Sequence, residues 1–372
     1  MRFIKLDKMK SIHTTLFPEN CAKKTIWCNM RIFLLCLLLL TGCVRKQSDK
    51  DALYRFEDYA VLKETAVWDD SLFLGHPSDI RYFNDWLLMY DPYDGQAFTC
   101  VHADSLKHKR LVNVGNGAGE VRLPVYLFQT EQGDSVVMYE RSAKIFKRIA
   151  WSDFISNNLQ QSVHSTQLTE QCYQAIPCKE NYIMNVYHGG RLFRLVDSDN
   201  NIISEFGAYP GEVDSRFDDF SAGIVTQCQM ASSPCGNYFV AAGYMSDMLS
   251  FYKIENNQVH LSKEYFSVGA EIDVYKHKGG YTSRRNEKTL QTYVDLCPTK
   301  DYVYALYQGC RVKETPKKEL SYLQILDWNG NFIAGFRFDK RLFSIAVNED
   351  TKTLYGLAGG ETSHVYVYKL AL

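Results

Sequence analysis

One short unit recurs six times along this chain, and that recurrence limits the folds open to it more than any other feature. An apolar run, usually closing on a tyrosine, occurs at residues 86–90, 136–139, 182–187, 238–244, 302–307 and 354–358. The ends of these runs lie 49, 48, 57, 63 and 51 residues apart, about the length of one propeller blade. A turn and a second apolar strand follow each run, at 97–102, 145–150, 192–197, 249–254, 322–327 and 364–370. Outer strands are legible at 201–206, 258–266 and 331–338. Between them, apolar and polar residues alternate in short stretches cut by Asp, Asn and Gly, with a helical turn or two expected only around 151–159. A unit of this size cannot bury both its faces alone, so neighbours must stack. The expectation is an all-β chain, a six-bladed β-propeller over residues 59–372. A sandwich or a pair of barrels would not need one unit six times over.

The sixth unit runs out of chain before its outer strand, which leaves an open sheet edge. Residues 59–68, at the other end of the repeat region, have the alternation to fill that place and lock the ring.

The N-terminus carries a different signal. Met30-Arg31 precedes nine residues, Ile32 to Leu40, that are all apolar, and then Thr41-Gly42-Cys43. A basic start, a short apolar stretch and small residues before a cysteine resemble the signal peptide and lipobox of bacterial lipoproteins. The resemblance implies cleavage before Cys43 and a diacylglycerol on its thiol. We expect residues 1–29 to be an upstream extension with translation starting at Met30, residues 30–42 the signal peptide, and residues 43–58 a polar tether. The leader takes 7 Lys/Arg and 2 Asp/Glu out of totals of 42 and 43, leaving a mature net charge near −6. That balance disfavours nonspecific nucleic-acid binding.

Loop composition adds a family likeness. Val114-Gly115-Asn116-Gly117-Ala118-Gly119-Glu120 with Pro124, the second copy Gly207-Ala208-Tyr209-Pro210-Gly211-Glu212, and Asp327-Trp328-Asn329-Gly330-Asn331 with Ile345-Ala346-Val347 and Leu354-Tyr355-Gly356 resemble TolB-like six-bladed propeller lipoproteins of Bacteroidetes. The likeness implies the fold, an envelope location and a lipid anchor, with the outer membrane favoured over the inner. Basic Val44-Arg45-Lys46-Gln47 after the cysteine departs from the acidic stretch of that group's surface-exposed members.

Turns from first to second and from third to fourth strands share one face of a propeller. Here they are short and polar, as at Asn84-Asp85 and Asn256-Asn257. The other face collects the long segments 115–127, 207–225, 269–289 and 309–320, where binding groups gather. Candidate ligand-binding residues on that face are Tyr93, His188, Tyr209, Phe217, Phe220, Tyr281, Arg284 and Arg285. Their aromatic faces suit sugars or peptide side chains, and their guanidinium groups suit carboxylates.

Catalytic motifs are not evident. Gly115-Asn116-Gly117-Ala118-Gly119 leads into no helix that could seat a phosphate. His188-Gly189-Gly190 reads as a hairpin turn rather than an oxyanion loop, and Asp214, Asp218 and Asp219 lack calcium-loop spacing. Seven cysteines follow Cys43; Cys172/Cys178 and Cys228/Cys235 are close enough in sequence to pair, while Cys100 reads as a buried strand residue. The expected role is a membrane-anchored, non-enzymatic ligand- or protein-binding propeller. Its partner would be a glycan, a peptide or an envelope protein, with no cofactor, metal or nucleic acid. The alternative is a propeller enzyme, a lyase, lactonase or glycoside hydrolase, with His76, Asp79 and Asp295 as channel candidates. A scaffold within an envelope complex is the third reading, and fold alone does not choose among them.

Overall fold

The computed structural model describes residues 52–68, 74–117, 119–129, 133–159, 164–313, 320–359 and 363–371. The extension at 1–29, the signal peptide at 30–42, Cys43 and tether residues 44–51 lie outside the described residues.

Two short strands, β1 (Ala60–Val61) and β2 (Glu64–Trp68), precede the blades. The first blade is β3 (Asp79–Phe83), β4 (Trp86–Tyr93), β5 (Gln96–His102) and β6 (His108–Asn113). The second is β7 (Val125–Gln129), β8 (Ser135–Glu140), β9 (Ile145–Ala150) and β10 (His164–Gln167), with the expected helical turn as α1 (Trp151–Ile155). The third is β11 (Gln174–Cys178), β12 (Asn181–His188), β13 (Arg191–Val196) and β14 (Ile202–Phe206). Helix α2 (Asp219–Val225) then leads to the fourth: β15 (Cys228–Ser232), β16 (Tyr238–Gly243), β17 (Leu249–Glu255) and β18 (Gln258–Tyr265). A separate hairpin, β19 (Ile272–His277) and β20 (Gly280–Arg285), precedes the fifth: β21 (Leu290–Pro298), β22 (Tyr302–Arg311), β23 (Ser321–Asp327) and β24 (Phe332–Phe338). The sixth is β25 (Leu342–Asn348), β26 (Thr353–Ala358) and β27 (His364–Lys369).

The ring closes as the strand count requires. β2 pairs antiparallel with β27, Glu64 opposite Tyr368 and Trp68 opposite Val365, and becomes the fourth strand of the sixth blade. β1 adds a parallel fifth strand to the fifth blade, Ala60 opposite Phe336. One short segment therefore ties two neighbouring blades together and covers two outer edges.

The tether ends sooner than its polar composition suggested. From Ala52 the chain is already packed: Leu53 is fully buried, and Tyr54 donates its hydroxyl to the Asp247 carbonyl at 3.0 Å. The Gln324 amide donates to the Leu53 carbonyl at 2.9 Å, the Tyr59 hydroxyl to the same oxygen at 2.6 Å, and Phe56 stacks on Tyr307 at 5.0 Å. Four large apolar or aromatic residues among charged ones were enough to make this strap part of the core.

Blade interfaces carry that core. Leu87, Met89 and Val101 of the first blade pack with Ala346, Tyr355 and Leu357 of the sixth; Phe193 of the third meets Phe239 of the fourth edge-on at 5.0 Å. Short turns follow residue chemistry. Asn84-Asp85, Asp94-Gly95, Gly189-Gly190 and Asn256-Asn257 each hold two successive positive φ angles, the geometry a tight hairpin needs and Gly, Asn and Asp tolerate. His188-Gly189-Gly190 is thus a hairpin end.

Two long-loop expectations change. Residues 269–289 hold the hairpin β19–β20, and 207–225 hold α2. The hairpin was hidden because its residues are mostly exposed, and α2 because its buried face is a short run of mostly small residues, Ser221, Ala222, Gly223 and Val225.

Candidate functional site

The six innermost strands surround a central cavity of about 750 Å³, within the range that takes a small ligand. It runs from Gln174, at the start of β11, to the turns that end β21 and β25, so its mouth lies on the short-turn face. Aromatic wall comes from Tyr82, Phe83, Tyr126 and Phe128.

A charged network sits among the innermost strands of the fifth, sixth and first blades. In β3, successive side chains alternate across the strand, so Ile80 enters the blade interface while Asp79 and Arg81 line the cavity. Arg81 grips Asp295 with both terminal nitrogens, Nη1–Oδ2 at 3.1 Å and Nη2–Oδ1 at 3.0 Å, and reaches Asp79 Oδ1 at 2.9 Å. Asp295 also accepts the Leu296 N–H at 2.8 Å, the Ile345 N–H at 2.8 Å and the Ser344 hydroxyl at 2.7 Å. Ser344 in turn accepts the Ile80 N–H at 3.1 Å. The innermost edge of each blade has no further strand to pair with. Here side chains take up its backbone donors, as buried polar groups require.

The same serine lies 3.0 Å from Asp79 Oδ1, but its one proton serves only one acid. Burial, reinforced by Asp295 and opposed by Arg81, raises the Asp79 pKa above the usual carboxylate range. Burial also works against the Arg81 charge, and the two carboxylates outweigh it and hold the guanidinium protonated. Nearer the mouth, the Thr299 hydroxyl donates to Glu349 at 2.5 Å, and burial pushes the Glu349 carboxyl up.

The opposite face carries the residues expected to bind. His188 Nδ1 pairs with Asp219 Oδ2 at 2.9 Å, which joins β12 to α2. Phe220 is 64% exposed and lies 6.1 Å from the Tyr173 ring. Tyr281 takes Arg216 over its ring at 4.9 Å, and its carbonyl accepts the Ser221 hydroxyl at 3.0 Å. Phe217 is half-buried in the turn held by its N–H on the Asp214 carbonyl. These residues gather around α2 and β20. Tyr209 is placed instead against Phe266, its hydroxyl accepting the Ala270 N–H at 3.1 Å. Arg285 lies over Tyr244 at 4.9 Å, Arg284 opposes Asp273 in the hairpin, and Tyr93 stands under Arg110 on the first blade. The group is therefore a cluster around α2 plus outliers, and its charges and rings are largely engaged with one another.

The acidic run has similar commitments. Asp218 caps α2 by accepting the Ser221 N–H at 2.8 Å, and its pKa is lowered by the Ser221 hydroxyl and then by that N–H; Asp214 is held to about 2 by Arg216. Among the described residues no three His, Cys, Asp or Glu side chains group as metal ligands. Cys172 and Cys178 are not joined by a disulfide, nor are Cys228 and Cys235, and Cys100 is fully buried in β5.

Of the channel candidates, Asp79 and Asp295 converge. His76 is exposed before β3, its N–H donated to Asp91 at 2.8 Å. Arg81, Ser344 and Glu349 escaped sequence reading. The signal for Arg81 was present, a cation two residues from Asp79 and so on the same strand face.

Residues 55–350 match a family model described as TolB-like 6-blade propeller-like. A protein of Bacteroides fragilis described as exported shares the fold with a TM-score of 0.50 at 12% identity, over 83% of this chain and 93% of that one. A DUF4221 family member from Bacteroides vulgatus does so with a TM-score of 0.52 at 10% identity, over 83% and 97%. At such identities the likeness is one of fold. No curated protein matches the sequence.

Proposed function

Because the chain belongs to the TolB-like six-blade propeller family, we propose that it is an exported binding module of the cell envelope, lipid-anchored through Cys43, with its ligand seated in the central cavity. The observation that carries the reading is the state of the channel acids. Asp295 accepts five hydrogen bonds, two of them from Arg81, so it has no free lone pair for acid–base work on a substrate. Acid–base work by the two acids as a pair needs both carboxylates able to exchange protons; here Asp295 is spent on holding three blades in register. What remains is a walled cavity with mixed aromatic and polar lining, the composition of a binding site.

Glycan fragments, short peptides or a segment of an envelope protein are the ligand classes this reading admits. A melting-temperature screen of the purified chain tests it. A ligand at 100 times its Kd adds about 2.7 kcal/mol of stability, and Phe128→Ala, in the cavity wall, is expected to abolish the shift. Shifts abolished only by Tyr281→Ala would move the site to the long-loop face and overturn this seat. Cys43→Ser is expected to move the protein from the membrane pellet to the soluble fraction; retention in the pellet would refute the lipid anchor.

A further inference from the structure

The cavity's charge is unbalanced in one direction. Five carboxylates line it, Asp79, Asp295, Asp301, Glu349 and Asp350, against the two cations Arg81 and Lys300. Arg81 is committed: its Nη1 and Nη2 contact Asp295, Asp79 and the Ile80 carbonyl. Asp295 is saturated by its own donors, and the Ser344 hydroxyl oxygen lies nearer Asp295, at 2.7 Å, than Asp79, at 3.0 Å. Asp79 therefore shares both the Arg81 guanidinium and the Ser344 hydroxyl with Asp295, and it is one-fifth exposed on the channel wall. A low-dielectric cleft lined by one sign of charge concentrates the opposite sign. Tyr82, Phe83, Tyr126 and Phe128 contribute to the lining of the same cavity, and aromatic side chains attract organic cations.

We propose that the cavity takes an organic cation, an amine or guanidinium group on a small molecule or an extended peptide, with Asp79 as its counter-charge. This rests on the binding reading above and names its ligand class. The cation adds the charge that Arg81 cannot supply to both acids, and the aromatic walls exclude water around it. Where Asp79 still carries its proton, cation binding drives that proton off. Affinity then falls on acidification at a pH above the range in which an ordinary exposed carboxylate titrates. The groups facing Asp79 in this titration are Arg81 on its own strand, and Asp295 and Ser344 on β21 and β25.

Calorimetry on the full chain tests the assignment, with spermidine and arginine amide as cationic probes, cellobiose as a neutral one and citrate as an anionic one. The expected result is saturable binding of a cationic probe, weakened at least tenfold by the near-isosteric Asp79→Asn and unchanged by Asp214→Asn on the other face. A second readout on the unaltered protein is proton release on binding, seen as a heat that varies with the buffer's ionisation enthalpy; it covers the case in which Asp79→Asn does not fold. Cation binding that is equal in Asp79→Asn, or free of proton release between about pH 4 and pH 7, would overturn the role of Asp79. Cellobiose or citrate binding, abolished by Phe128→Ala, without cation binding would overturn the ligand class and leave the binding reading standing. Binding of no probe in calorimetry, together with no shift in the broader melting screen, would remove both.

Discussion

Single side chains in this ring do their work by occupying backbone donors that strands leave over. Asp91 is fully buried and accepts the Gly75 N–H at 3.1 Å, the His76 N–H at 2.8 Å, the Thr99 hydroxyl at 2.7 Å and Arg110 Nη1 at 3.1 Å. Asp247 does likewise with the Ser267 and Val268 N–H groups at 2.8 and 2.7 Å. Asp91 clamps a blade-to-blade crossover to a second strand, and Asp247 clamps one to the turn between a second and a third strand. Asp91→Ala leaves the Gly75 and His76 N–H groups without their acceptor and takes the counter-charge from the partly buried Arg110, and is expected to cost about 1–3 kcal/mol, read from denaturant unfolding. Asp79 predicts a pH effect of definite sign. Its folded pKa is raised, so as pH climbs out of the ordinary carboxylate range the unfolded chain loses this proton before the folded one does, and stability falls. Asp79→Asn has no such proton. Its melting temperature relative to wild type should rise across that interval, and a flat difference would refute the assignment. None of these partners was legible beforehand, because each couples residues 8 to 265 positions apart. The sequence shows only that the acids are there.

At the scale of strands, the second and third of each blade were readable because both faces are buried and the apolar run is continuous. Innermost strands were not. β3 reads Asp-Ile-Arg-Tyr-Phe, with polar side chains turned to the channel on one face, and that alternation is too short to stand out. The irregular spacings of 57 and 63 residues have a physical source in α2 and the β19–β20 hairpin, inserted between blades without disturbing the sheets. Closure by residues 59–68 was legible because an unpaired sixth edge demanded it. Two changes probe that closure. A chain beginning at Asp69 lacks β2 and strips Trp68 from Tyr355, 5.6 Å away; it should lose cooperative unfolding and aggregate through the bare β27 edge. At Gly335, an added Cβ would sit 2.4 Å from the Tyr59 ring. Tyr59 is 5% exposed and hydrogen-bonded, so it has little room to yield. Gly335→Ala should cost about 1–3 kcal/mol and open residues 52–62 to protease, while an unchanged digestion pattern would count against a fixed strap.

For the molecule as a whole, fold and family could be read from the repeat, but the side of the ring holding the cavity could not. Long loops drew attention to one face, whereas the cavity mouth lies among the short turns of the other. Its lining is contributed a few residues at a time by six distant strands, and linear sequence has no measure of convergence. The strap at 52–59 adds a constraint of another kind. Its contacts with Asp247, Tyr307 and Tyr322 hold it beside the second-to-third-strand turns of the fourth and fifth blades, the face away from the cavity mouth. The chain thus threads into the ring from the side opposite the cavity mouth, a mooring line made fast to the far side of the hull, and residues 52–59 leave the cavity's entrance clear.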